Sequence, residues 1–227
     1  MIFGMRRVLF GLLLFWAAVA AAQPNLAPGF TKLAPNSTIA LMPADVELFE
    51  ISAGGVGEPR ADWTAAASKN IVADLRARKA KLGARATEIT GEQDEAVEAL
   101  NGLHGAVARA IVVHHFGGLK LPTKDGKLDW TLGPDAAKLR EKSGADYALF
   151  TWVRDSYASA ERKAMMVVGA LFGVGMTGGV QQAYASLVDL RTGQVVWFNR
   201  MVRGTGDLRE AEPATETLNA LLTGFPL

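Results

Sequence analysis

Apolar positions along this chain alternate between strand-like and helix-like spacing. Between Thr38 and Ile51, Ile39, Leu41, Val46, Leu48, Phe49 and Ile51 are interrupted by Pro43. This predicts one strand to Met42 and a continuation or edge strand beyond it. The following SAGGVGEPR reads as a turn or loop. From Asp62, read as an N-cap, Trp63, Ala67, Ile71, Leu75 and Leu82 make one stripe of a helix ending near Gly83. Arg76, Arg78, Lys79 and Lys81 crowd its carboxyl end, where cations complement the helix dipole.

Arg85 to Ile89 fits a short strand. Thr90 and Gln93 then spell a capping box that opens a long helix, with Val97, Leu100, Leu103, Val107 and Ile111 on one face and Gly117 and Gly118 as its end. Gly102 and Gly105 inside it point to close packing against a neighbour. Residues 119 to 133 read as a small hairpin or ordered loop turning at Asp125 and Gly126, and a short helix follows from Pro134 to Ser143 with Gly144 as its stop. Tyr147 to Val153 is dense enough in aromatic and branched residues for a buried central strand. Tyr184 to Leu190 and Gln194 to Val202, joined through Gly193, give the strongest hairpin signal. Leu218, Leu221 and Leu222 share a face of a final helix that should dock on the sheet.

The expected fold is therefore α/β (α+β): a single domain over residues 37–227, a mixed sheet with helices packed on it, ending in a β-hairpin and a C-terminal helix. Upstream, Arg6 and Arg7 precede an uncharged apolar run from Val8 to Ala22 that ends in small residues. That three-part layout marks residues 1–22 as a cleaved signal peptide, and the Pro- and Asn-rich residues 23–36 as an extended linker. Export makes the compartment periplasmic, with outer-membrane association left open. Cysteine is absent, so neither a disulfide nor a lipidated cysteine contributes. Without Arg6 and Arg7 the 24 basic residues fall to 22 against 23 acidic ones. A chain with no basic excess lacks the electrostatic footprint for nucleic acid.

The segments STIALMPADVEL, SGADYALFTWV and ASLVDLRTGQVVWFNR, in this order and separated by helices, resemble a group of envelope accessory proteins. That group has the fold of the amino-terminal domain of the Tol-Pal propeller protein and of the curli secretion channel lipoprotein. The matching motifs are Gly144 to Tyr147 and the Val-Asp-x-x-Thr-Gly-x-Val-x-Trp hairpin from Val188 to Trp197. The resemblance covers most of residues 37 to 223 and rests on turn and core chemistry. It implies a fold, and a binding or assembly role through other proteins. Those lipoproteins carry an acylated cysteine, which this chain lacks, so a lipid-anchored role is not implied. In the curli channel, inserted sequences supply a membrane barrel; the insert here lacks the alternation a barrel strand needs.

Candidate chemistry is sparse. Gly173, Gly175 and Gly178 spell Gly-x-Gly-x-x-Gly, but a dinucleotide site needs a strand before it, a helix after it and an acid about 20 residues on, where Phe198 stands. His104, His114 and His115 all lie on the long helix, His104 about 16 Å from His115, so they cannot close one metal site. His104 reads as a satisfied core or interface histidine. Asp45, Glu47, Glu50, Asp146 and Asp155 flank strands, and a hydrolytic pair among them would need a separation that sequence does not give. No catalytic, cofactor-binding or metal residue is assigned, and an envelope hydrolase is the third reading of function.

One feature is unusual: Ala164 to Val188 carries no charge, and its first part, the Gly-rich apolar segment 164–180, follows Glu161, Arg162 and Lys163. Core segment, exposed contact surface and membrane-inserting element are the three readings open to it. Its candidate interaction residues are Met165, Met166, Val167, Val168, Leu171, Phe172, Val174, Met176 and Val180. The expected role is a non-enzymatic periplasmic or cell-envelope binding or assembly accessory protein, with envelope proteins or its own copies as partners and no cofactor. The alternative is an outer-membrane-associated translocation component that inserts this segment.

Overall fold

The computed structural model describes residues 25–79, 85–89 and 94–227. Seven strands form one mixed sheet: β1 (Thr38–Leu41), β2 (Asp45–Ile51), β3 (Gly57–Pro59), β4 (Arg85–Glu88), β5 (Tyr147–Ala158), β6 (Gln181–Asp189) and β7 (Val195–Arg203). The helices are α1 (Ala61–Arg78), α2 (Glu95–Ile111), α3 (Ala136–Ser143), α4 (Ala160–Leu171) and α5 (Ala211–Leu221).

β5 is the axis of the sheet. Its first residues pair in parallel with β1 and its later ones, from Trp152 to Ala158, in parallel with β2. β6 lies antiparallel on its other side, and β7 follows antiparallel to β6. β4 extends β1 in parallel, while β3 caps β2 antiparallel. Because side chains alternate along a strand, β5 feeds two cores at once. Ala148, Phe150 and Trp152 face Val97, Leu100, Ala108 and Ile111 of α2 and Ala136 and Leu139 of α3. Leu149 and Val153 face Ala67, Ile71 and Leu75 of α1 and Ala214, Leu218 and Leu221 of α5. The result is a layer of helices on each face of the sheet, as the alternating sequence pattern requires.

Local signals place most of these elements. The α1 stripe Ala67, Ile71 and Leu75 is buried as spaced. Gly193 turns the β6–β7 hairpin at φ 73°, where a side chain would meet Gly133 O. Gly105 of α2 lies against the Trp152 ring, a Cβ there falling 3.2 Å from it, whereas Gly102 faces open space. α2 runs on through a π turn (Val112–Phe116), and this continuous helix is the one among the described residues long and apolar enough to cross a membrane. Its apolar stripe is instead spent on the sheet.

Several boundaries differ from the sequence reading. β2 is interior to the sheet, held between β5 and β3, and GEP of the expected loop forms β3. Leu103 is exposed, not on the packed face. The cap of α1 is Arg60, with Asp62 in the first turn bonded to it, and α2 is capped by Asp94, whose side chain accepts from Ala96 N. Residues 25–36, read as a linker, run beside β7: Ala27 N donates to Val196 O, Phe198 N donates to Asn25 O, and Ala27 and Leu33 are buried. The signal peptide, the capping box of Thr90 and Gln93, and Leu82 with Gly83 lie outside the described residues.

Candidate functional site

At the end of β5 the chain leaves the sheet. Ser159 caps the new helix, its hydroxyl accepting from Arg162 N at 3.2 Å, and Glu161 occupies the first turn where a carboxylate suits the dipole. The helix that follows, α4, buries none of its side chains in the domain. After Leu171 the chain reverses through Gly173, at φ 73°. Phe172 N and Val174 N both donate to Gly169 O at 2.9 Å, and Gly173 N donates to Ala170 O at 3.1 Å, so the apex is hydrogen-bonded to itself.

An extended limb then returns to β6 along the helix. Glycine makes the close approach: a Cβ at Gly169 would lie 3.2 Å from Val174 O, and one at Gly178 3.3 Å from Met166 Cε. Met166 and Met176 sit half-buried between helix and limb. Arg162 Nε donates to Thr177 O, and Ala158 N donates to Gly178 O. The pair formed by Ser156 and Val180 closes the root, side-chain oxygen to carbonyl and amide to side-chain oxygen.

The outcome is an arm projecting from one pole of the sheet, and residues 164–180 lie outside the core. Of the nine candidate residues, Leu171 and Phe172 are each 80% exposed and Val167 is 67% exposed. Met165, Val168, Val174 and Val180 are exposed too, leaving only Met166 and Met176 partly covered.

Beneath the arm lies a polar network that the sequence reading did not assemble. Asp155, buried in β5, accepts from Tyr157 Oη at 2.5 Å, Gln181 Nε2 at 2.7 Å and Ser156 N at 2.8 Å. Burial pushes its pKa up, against those hydrogen bonds. Tyr157, itself held above its ordinary range by burial and by Asp155, accepts from Leu208 N. Gln181 Oε1 accepts from Arg203 Nε and Thr217 Oγ1, which ties β6, β7 and α5 together. Arg209, held by Asp207, lies over the Trp63 and Tyr157 rings at 4.4 and 4.6 Å. A cavity of about 50 Å³ opens here between Asp155 and Tyr157 and the glycines 178, 179, 204 and 206. The signal for it was the alternation of β5, which continues past Val153 and brings Asp155 to an inward position.

The other candidates are accounted for by structure. Asp45 and Glu47 both pair with Arg154, Glu50 pairs with Arg60, and Asp146 accepts from Thr38 N. His104 is fully buried, bonded to Ser186 Oγ at 2.8 Å and stacked on Phe150, and desolvation drives its pKa down to about 3. It is a neutral core residue. Gly173, Gly175 and Gly178 follow a helix and precede a strand, the reverse of a dinucleotide site, and serve the arm's turn and return. Among the described residues no group of His, Cys, Asp or Glu is placed to hold a metal.

No protein-family profile matches the chain, and no curated protein matches it at a significant level. Similar solved structures include the PelC dodecamer from Paraburkholderia phytofirmans, 16% identical, with 86% of this chain and 93% of that one covered at a TM-score of 0.37. The lipoprotein GNA1162 from Neisseria meningitidis is 13% identical over 83% of this chain and 98% of its own, at 0.34. The LpoB C-terminal domain from Salmonella enterica is 13% identical over 78% and 87%, at 0.31. The likeness is a loose one of fold and assigns no role.

Proposed function

We propose that this chain is a non-enzymatic binding or assembly accessory protein of the cell envelope, and that it works through contacts made at the pole of the sheet bearing the α4 arm. The observation that carries this reading is the arm itself: beyond Lys163 it is free of charge to Val180, and most of its large apolar side chains lie in solvent, while monomers seldom expose contiguous apolar patches beyond a few hundred Å². The root of the arm adds a strand edge. Residues 25–27 cover β7 as far as Phe198 and Arg200 N donates to Asn199 Oδ1, so among the described residues the stretch from Met201 to Arg203, with Val202 exposed, is open to a partner strand. The apolar leader and the resemblance to envelope accessory domains support a periplasmic location.

A photo-crosslinking amino acid at Val180, at the root of the arm, or at Val202, in cells making the full chain, tests the reading. Adducts with envelope proteins are expected from both positions and not from Lys127, on the loop near the opposite pole. Equal labelling from Lys127, or none from the arm pole, would overturn it. The second reading, an outer-membrane-associated translocation or secretion component that inserts its Gly-rich apolar segment to form a path across the bilayer, draws support from the apolar character of the arm. Its length weighs against it, since the 12 residues of α4 reach about 18 Å and a bilayer core is about 30 Å thick.

A further inference from the structure

We propose that the outer half of the arm, Met165 to Val174, seats in one leaflet of a lipid bilayer and holds the arm pole against the membrane surface, leaving the root strands to meet proteins. The inference rests on the reading above that this pole is the contact face. Two observations select lipid over a protein groove.

The first is that the arm has no polar face. At 100° per residue, Val167, Val168, Leu171, Phe172 and Met165 cover an arc of about 160°. The face opposite is closed by the return limb, whose own Val174 is exposed. A helix that docks in a protein groove keeps a polar side for water. Here Thr177 is the one polar side chain between Ala164 and Val180, and it lies near the root, its carbonyl bonded to Arg162.

The second is that the backbone is prepared for a low-dielectric medium where it would be deepest. Unpaired peptide groups are barred from hydrocarbon. At the apex two carbonyls of the last turn of α4 are taken up: Gly169 O accepts from the amides of Phe172 and Val174, and Ala170 O from that of Gly173. The reach matches one leaflet: nine residues from Ala164 to Phe172 rise about 13 Å, close to half of a bilayer core. The charges Glu161, Arg162 and Lys163 stand just below, at headgroup depth.

The test is flotation of the purified full chain with vesicles of phosphatidylethanolamine and phosphatidylglycerol at 3:1, and with phosphatidylcholine alone. Binding to both is expected, surviving 0.5 M salt, because apolar burial and not charge drives it. In the double variant Leu171→Ser with Phe172→Ser, partition should fall by about 100-fold with the thermal midpoint unchanged, both side chains being 80% exposed. A Phe172→Trp variant should shift its emission to the blue and be quenched by lipids brominated along the chain. Unaltered flotation of the double variant, or no quenching of the tryptophan introduced by Phe172→Trp, overturns the proposal. So does a wild-type protein that ignores vesicles and forms oligomers which the double variant dissolves. If vesicle binding fails while crosslinks from Val202 persist, the lipid inference falls and the accessory role stands; if the crosslinks are lost with flotation intact, the accessory role falls and the lipid inference stands.

Discussion

Gly179 and His104 carry the tightest constraints on single side chains. Gly179 sits at φ 150°, and a Cβ there would fall 1.9 Å from Ser156 O, a backbone atom with no room to move. Gly179→Ala is expected to pull the limb off β5 and break the bonds between Ser156 and Val180, at a cost of roughly 1–3 kcal/mol. Faster protease cutting within residues 174–180 would report it; an unchanged cleavage rate would show that the limb gives way freely. His104 imposes a pH dependence. Its folded pKa of about 3 lies below the usual 6.5, so between those values the unfolded chain binds a proton that the native one refuses. The stability it protects is complete above pH 6.5 and drains away as the pH falls toward 3. Urea titrations at pH 7 and pH 4.5 should show a larger loss for wild type than for His104→Gln, which keeps a partner for Ser186 and does not titrate. Equal losses would mean the imidazole is hydrated in the native state. The sequence showed His104 as a core residue because it shares a face with Leu100 and Val107. Asp155 was hidden, since its importance lies in Gln181 arriving from β6 to join Tyr157 of its own strand, a meeting made by register.

Among elements, α4 and α5 make opposite use of apolar residues. α5 buries Leu218 and Leu221 completely between β6, β7 and α1, whereas α4 keeps Leu171 in solvent. Leu218→Ala should therefore cost about 2–5 kcal/mol through the cavity it leaves, read as a drop in the denaturation midpoint. Replacing residues 165–180 by a short Gly-Ser linker removes more apolar side chains than that, yet the domain should keep its secondary structure and melt within a few degrees of wild type. A collapse of the domain on that replacement would mean the arm packs on the sheet in solution. Elements such as α1, β5 and the β6–β7 hairpin were legible because their periodicity and turn residues are local. The placement of 164–180 was not, because apolar composition is the same for a core segment and for an exposed one. What decides is where Ser159 caps the helix and where Gly173 turns it, and both send the chain away from the sheet.

For the whole molecule, the amino-terminal segment and the arm belong to one argument about orientation. The first residue fixed to the sheet is Asn25, whose carbonyl accepts from Phe198 N and whose side chain reaches Asn199. Cleavage after Ala22 would leave Gln23 and Pro24 ahead of it. The small residues at 20 and 22 and the Pro at 24 fit a processing site placed at the edge of the fold. The protein recovered from cells that export it is accordingly expected to have the intact mass of the chain beginning at Gln23. It should also leave the membrane fraction in alkaline carbonate more readily than a form with the leader retained. A mass that includes Met1 would instead leave Val8 to Ala22 on the protein as a second apolar segment. The domain would then be tethered from its chain start, and the arm's part in holding it to the bilayer would shrink to setting its tilt.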